Sequence, residues 1–233
     1  MRPKVVGINI RTDGNFAPMN RRNKRLRVQR FQADLDRAVS LFNVLILNGA
    51  TCYKTGGDYA PLMQVDRRDI AESIFFEAAA KFEAFAYFCF QYEVCKRFRA
   101  SASKAAFLMG TPDRGTEGTF GWASPERLRQ RGLNLFGVSS FFGRLNVRLN
   151  KSTREDLTLA HLLRNRVGHD GNQARKKLET HLNRLHVPKN SRKGLSVGRL
   201  LLEYPAGSPQ DERLFFVLLK GYNKFAVQFL KHG

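Results

Sequence analysis

The stretch that decides the fold is Ile74–Phe90, IFFEAAAKFEAFAYFCF. Its apolar residues cover nearly every face of a helix, so the periodicity predicts a central buried helix over about Arg67–Arg99. The stretch is too short to span a bilayer, and it contains Glu77, Lys81 and Glu83. We expect Glu83 to pair with an arginine, because an ionised carboxylate is rarely buried alone; a catalytic role is the alternative.

The rest of the sequence predicts an all-α fold, a bundle of four to five helices. Residues 1–26 are predicted to form a basic N-terminal arm, and residues 27–233 a single helical domain. The predicted loops are Thr51–Val65 and Lys104–Gly121, and Leu195–Tyr204 is predicted to be extended. Besides the central helix, apolar spacing and capping residues place helices at about Arg27–Leu47, from Ser124, at Ser152–Val167, at Gln173–Leu185 and at Asp211–Leu230.

The charge of the chain points to polyanionic partners. Its 233 residues hold 40 Lys and Arg against 20 Asp and Glu, a formal charge of +20. Such a surface concentrates nucleic acids or anionic membranes near the protein. Three cysteines without paired spacing argue against a disulfide framework, and Met1–Ile10 has no apolar core typical of a signal peptide. These features predict a cytoplasmic protein that does not span a membrane.

No metal or cofactor is expected from the motifs. None of the five histidines stands with cysteines or carboxylates at metal-ligand spacing, and there is no Gly-x-Ser-x-Gly elbow. The Gly-rich segment Gly110–Gly118 lacks the Lys-Ser/Thr of a phosphate-binding loop. The segment that remains as a candidate site is Leu162–Asn172.

Within that segment, Arg164-Asn165 precedes His169 at the end of an apolar helix. This pattern resembles the Arg-polar-x3–5-His signature of the HEPN superfamily, which comprises all-α ribonuclease and nucleic-acid-processing domains. The spacing alone is not selective, because Arg154/His161 and Arg175/His181 also satisfy it. Arg164/His169 differs from both in having a small polar residue after the arginine and a glycine, Gly168, beside the histidine.

The glycine matters because five residues of continuous helix would hold the two side chains about 140° apart. Gly168 allows the helix to end there, so that His169 can turn towards Arg164. His169 would take the proton of a ribose 2′-hydroxyl, Arg164 would hold the scissile phosphate, and Asn165 would orient either one. Asp170 would order the turn or raise the pKa of His169, or is simply solvated.

The resemblance implies a metal-independent endoribonuclease whose Arg164/His169 pairs meet in the cleft of a homodimer. It also implies toxin–antitoxin or phage-defence systems as the setting, with an antitoxin or nucleotidyltransferase as a partner. Basic residues around the motif are candidate RNA contacts, although a solvated helix face explains them equally well. They are Arg166, Arg175, Lys176 and Lys177.

Two other functions stay open at this point. The first is a non-catalytic module that binds nucleic acid or a protein partner, with Arg164 and Asn165 in a hydrogen-bond network between helices and His169 as a helix cap. The second is a basic protein of the membrane surface, for which the last helix offers few lysines. His161 is expected to be a core or interface histidine.

Overall fold

The computed structural model describes residues 21–53, 56–109, 124–168, 172–184, 196–203 and 212–233. This part of the chain is all-α apart from one short hairpin, as the sequence predicts. The α-helices are α1 (Arg21–Phe42), α2 (Gln64–Phe98), α3 (Ala102–Leu108), α4 (Pro125–Phe136), α5 (Leu145–Arg148), α6 (Lys151–Gly168), α7 (Asn172–Arg184), α8 (Val197–Leu202) and α9 (Leu214–His232).

Four helices, α1, α2, α6 and α9, pack against one another and form the core of the bundle. Aromatic rings fill the space between them, and several of these rings stack face to face. Phe42 stacks on Phe215 at 4.1 Å between ring centroids, and Phe82 stacks on Tyr222 at 4.2 Å. Aromatic side chains remove large apolar areas from water, so the abundant phenylalanines account for a core without disulfides. The prediction of an all-α bundle is confirmed.

The first helix begins earlier than predicted. It starts at Arg21, so residues 21–26 belong to the domain, while residues 1–20 of the predicted arm lie outside the described part. Lys24 explains the difference, because its side chain is buried rather than solvated. Its ammonium group lies 5.1 Å from the Phe229 ring centroid and donates a 2.8 Å hydrogen bond to the carbonyl oxygen of Gly233.

The connection between α1 and α2 is more ordered than the predicted loop. After α1 the chain makes one π-helical turn, Asn43–Leu47, and it leaves the turn at Gly49 with a left-handed φ of 71°. Two short antiparallel strands follow, β1 (Thr51–Tyr53) and β2 (Tyr59–Pro61), in which Cys52 faces Ala60. The helix α2 then begins at Gln64, three residues before the predicted start.

Two other predicted segments are wrong. Ala102–Leu108 is the helix α3, so the predicted Lys104–Gly121 loop is helical at its beginning, and residues 110–123 lie outside the described part. Val197–Leu202 is the helix α8 rather than an extended segment. The Ser196 hydroxyl caps α8 by accepting a hydrogen bond from the amide of Arg199 at 3.1 Å.

The position of α8 depends on Gly198, which lies directly on the backbone of α2. A Cβ atom added to Gly198 would overlap the carbonyl oxygen of Arg68. The Gly198 amide donates a 2.6 Å hydrogen bond to Oε1 of Glu72 on α2. This close approach buries the apolar residues Val197, Leu200 and Leu201.

No helix in the described ranges is long and apolar enough to cross a membrane.

Candidate functional site

The candidate site lies where the end of α6 meets the middle of α2. Arg164 projects from the last turns of α6 and is only 3% exposed. Its Nε lies 3.1 Å from Oε1 of Glu83, which is itself buried on α2. The predicted pairing of Glu83 with an arginine is therefore confirmed, and the partner is the arginine of the Arg-Asn-x3-His motif.

An aromatic ring and a glycine enclose the other side of the guanidinium. The Cζ of Arg164 lies 5.0 Å from the centroid of the Phe76 ring, a cation–π contact. A Cβ atom added to Gly168 would lie 3.2 Å from Nη1 of Arg164 and 3.4 Å from the Phe76 ring. The guanidinium therefore reaches forward along α6 to its last residue, and His169 is the next residue in the sequence.

The described part of α6 runs to Gly168. His169 and Asp170 lie outside the described residues. The predicted meeting of His169 with Arg164 therefore stays a prediction.

The site is electrostatically unusual because its charges lie in an apolar interior. Burial raises the pKa of the Glu83 carboxyl to about 7, although the neighbouring Arg164 lowers it. Burial also lowers the pKa of Arg164, and the charge of Glu83 opposes that change. Near neutral pH a proton on Glu83 would leave the positive charge of Arg164 unbalanced.

Tyr222 of α9 is coupled to the same pair. Its side chain is 1% exposed, and its ring stacks on Phe82, the residue next to Glu83. Burial and the negative charge of Glu83 raise the pKa of the Tyr222 hydroxyl, which stays protonated. The site thus joins three helices of the bundle through one carboxylate, one guanidinium and one phenol.

Asn165 contacts a different histidine from the one considered in the sequence. Its Nδ2 lies 3.1 Å from Nε2 of His161, one turn earlier on α6. For this hydrogen bond the amide donates and the unprotonated Nε2 accepts, so the proton of a neutral His161 ring is on Nδ1. Both side chains are half-buried. His161 is therefore part of the motif's immediate surroundings.

The predicted RNA contacts divide into two groups. Arg166 on α6 is half-buried, whereas Arg175, Lys176 and Lys177 on α7 are exposed. Arg175 pairs with Glu179 on its own helix at 2.9 Å. The opposite face of α7 buries Leu178 and Leu182, so the basic residues form the outer face of a packed helix.

Sequence reasoning missed Phe76 and Tyr222. Phe76 lies in the apolar stretch Ile74–Phe90, and Tyr222 is one of the apolar residues at helical spacing in the last helix, so the sequence indicates only core positions for them. Periodicity cannot reveal that a buried aromatic residue of α2 or α9 will face a charge on α6, because that contact depends on how the helices pack.

The described residues hold no group of three His, Cys, Asp or Glu side chains that could bind a metal ion. Searches of protein-family models, of curated proteins and of solved structures find no match to this chain.

Proposed function

We propose that the protein is a metal-independent endoribonuclease in which His169 is the general base and the Arg164–Glu83 pair organises the site. The observation that carries the proposal is the position of the Arg164 guanidinium, which lies against Gly168 immediately before His169. A 2′-hydroxyl next to the scissile phosphate can act as the nucleophile once a base removes its proton. A histidine suits this step because its ordinary pKa is near neutral.

The burial of Arg164 changes the role first expected for it. A side chain that is 3% exposed and paired with Glu83 is poorly placed to hold a phosphate directly. In the proposal Arg164 is a positioning residue, which fixes the end of α6 and adds positive potential behind the phosphate. Asn165 and His161 line the adjacent face of α6, and Arg166 and the basic face of α7 would contact neighbouring phosphates.

The resemblance to the HEPN superfamily extends this proposal to a homodimer and to a cellular context. Two copies of the helix end would meet across a twofold axis and bring two His169 residues to one RNA. A cytoplasmic toxin–antitoxin or phage-defence system, with an antitoxin or a nucleotidyltransferase as partner, is the proposed context. Sedimentation of the purified chain tests the dimer directly.

The decisive experiment is cleavage of labelled RNA in the presence of EDTA. The parent should produce ends with a 2′,3′-cyclic phosphate, and His169→Ala should lose at least about a hundredfold in rate, the lower range for general acid–base catalysis. His232→Ala is the matched control, because His232 is exposed and contacts Arg148 before the start of α6. Equal rates for the parent and both variants would overturn the assignment of His169.

A second candidate function is a nucleic-acid-binding module that does not cleave. The buried Arg164–Glu83 pair favours it, because two charges that pair between packed helices have a structural role whether or not chemistry follows. RNA binding by the parent and by His169→Ala with the same Kd, and no cleavage by either, would establish this function instead. Melting curves of both proteins show whether His169→Ala has kept its fold.

A further inference from the structure

A second cationic site involves the first turns of α2. It is a pocket of about 600 Å³ at the start of α2 and α9 and the end of α8. Four arginines line it against one glutamate, which leaves a formal charge of +3. The lining arginines are Arg67, Arg68, Arg199 and Arg213, and the glutamate is Glu203. Arg68 lies eight residues before Phe76, the first α2 residue of the candidate nuclease site, which is about 12 Å along the helix, and no lining residue belongs to that site.

The only carboxylate in the described lining is already engaged. Oε1 of Glu203 accepts a 2.7 Å hydrogen bond from Nε of Arg199. On α2, Asp66 accepts from the amide of Met63, Glu72 accepts from the amide of Gly198, and Asp69 is exposed to solvent. Within the lining itself, Glu203 offsets only one of the four arginines.

Arg67 and Arg68 carry the strongest indication of a ligand. The Nε atoms of both are buried and have no hydrogen-bond partner among the described residues. A buried donor without a partner costs free energy, and the cost is larger for a charged group. The two side chains are half-buried beside one another, and an anion in the pocket would offset the mutual repulsion of their guanidinium groups.

The backbone adds to the positive potential at the same place. Arg67 and Arg68 lie in the first five residues of a 35-residue helix, and Arg213 immediately precedes the 19-residue α9. Helix N-termini carry partial positive charge; Asp66 offsets that of α2 by accepting from the amide of Met63, whereas the first turn of α9 holds no acidic residue. Two N-termini and four arginines thus surround one cavity.

One wall of the pocket is apolar. Ile46 and Leu47, from the turn after α1, and Leu202 of α8 line that side. A cavity of this volume suits a small molecule rather than a protein segment. A ligand that matches both walls has several negative charges at one end and an apolar ring at the other.

We propose that this pocket binds a nucleoside di- or triphosphate, whose phosphates contact Arg67 and Arg68 and whose base lies against Ile46, Leu47 and Leu202. This proposal does not depend on the proposed nuclease activity. Binding is measured without RNA, and none of the residues involved belongs to the candidate nuclease site.

The test is calorimetric titration of the full chain with ATP, tripolyphosphate and adenosine in EDTA. We expect ATP to bind more tightly than tripolyphosphate, and adenosine not to bind measurably. Equal affinities for ATP and tripolyphosphate would overturn the role of the apolar wall. Failure of both anions to bind, or equal binding of adenosine and ATP, would overturn the proposal as a whole.

Variants locate the binding to the pocket. The double variant Arg67→Gln/Arg68→Gln should weaken ATP binding at least about tenfold, because it removes hydrogen bonds from charged donors. Arg97→Gln is the matched control, because it removes one arginine from the opposite end of the same helix, and it should change the Kd less than about twofold. Equal Kd values for the double variant and the control would contradict the assignment.

A variant that is expected to tighten ATP binding distinguishes a change in the pocket from a loss of folding. Glu203→Gln removes the single negative charge of the lining and frees Arg199, so it should tighten ATP binding several-fold. Glu179→Gln, which removes a carboxylate from a similar Arg–Glu pair on α7, should leave the affinity unchanged. A misfolded protein cannot bind more tightly, so an unchanged or weakened affinity of a folded Glu203→Gln protein would count against the proposal.

Discussion

Nε of Arg164 and Oε1 of Glu83 lie 3.1 Å apart between α6 and α2, in a part of the core where both side chains are almost fully enclosed. Ion pairs in such surroundings contribute little net stability, because removing two charges from water costs about as much as their attraction returns. Their disruption is costly, however, since the remaining charge stays buried without a partner. This asymmetry makes the pair a sensitive test of the structure.

A double-mutant cycle measures the pair directly. Arg164→Met should lower the free energy of unfolding by about 3 kcal/mol, because it leaves Glu83 without its cationic partner. The double variant Glu83→Gln/Arg164→Met should be more stable than Arg164→Met, since no charge then remains buried. Urea unfolding of the parent, Arg164→Met, Glu83→Gln and the double variant gives the coupling energy between the two side chains.

The exposed pair of Arg175 and Glu179 supplies the control for this cycle. Because both side chains are largely solvated, Arg175→Met should change the free energy of unfolding by no more than about 0.5 kcal/mol. Equal decreases for Arg164→Met and Arg175→Met would show that the Arg164–Glu83 pair is not buried as described.

The raised pKa of Glu83 predicts a particular pH dependence of stability. Its carboxyl titrates at about 7 in the folded protein, against an ordinary value of 4.5. Between these values the folded state binds more protons than the unfolded state, so stability falls as pH rises from 4.5 through 7. Asp156, whose pKa burial raises to about 6, acts in the same direction.

Glu83→Gln isolates the contribution of Glu83. Between pH 5 and pH 8 the free energy of unfolding of the parent should fall by roughly 1–3 kcal/mol more than that of Glu83→Gln. Glu77→Gln, which removes an exposed carboxylate from the same helix, is the control for the loss of one negative charge. Parallel profiles for the parent and Glu83→Gln would contradict a raised pKa.

The contact between α8 and α2 predicts that a larger residue in place of Gly198 destabilises the fold. A methyl group at this position would overlap the Arg68 carbonyl, and a backbone atom cannot move aside as a flexible side chain can. Gly198→Ala should therefore lower the free energy of unfolding by about 2 kcal/mol, despite the better helix propensity of alanine. Gly56→Ala, which meets no atom within 4 Å, should change it by less than about 0.5 kcal/mol. Thermal unfolding distinguishes the two.

The basic face of α7 predicts how RNA binding responds to salt. If Lys176 and Lys177 bind phosphates, the variant Lys176→Gln/Lys177→Gln should bind RNA more weakly. Its plot of log K against log salt concentration should be shallower by about 0.7 for each phosphate that the variant no longer neutralises. Lys151→Gln/Lys220→Gln, which removes the same charge elsewhere, should keep the slope of the parent. An unchanged slope for the α7 variant would place the RNA on another surface.

Apolar periodicity was enough to predict the long elements of the fold, because the helices bury stripes that repeat every three or four residues. The central helix and the pairing of Glu83 with an arginine were both predicted. The identity of that arginine was not, because Glu83 and Arg164 are far apart in the sequence and only the packing of α6 on α2 brings them together.

Short helices, and pockets lined by several separate segments, could not be predicted for a different reason. The helix α8 has six residues, too few for a repeating pattern, and its stability comes from the Ser196 cap and from packing on α2. The pocket at Arg67 and Arg68 combines residues from four separate segments, none of which carries a recognisable motif. The Arg164/His169 motif was found only because both residues lie in one short segment.

Lys24 has a practical consequence for handling the protein. Because its ammonium group bonds to the carbonyl oxygen of Gly233, the start of α1 and the end of α9 are neighbours in space. A short peptide could link these two points, and new termini could then be opened at the exposed residues 56–58. The domain is thus suited to circular permutation and to insertion as a unit into a host protein.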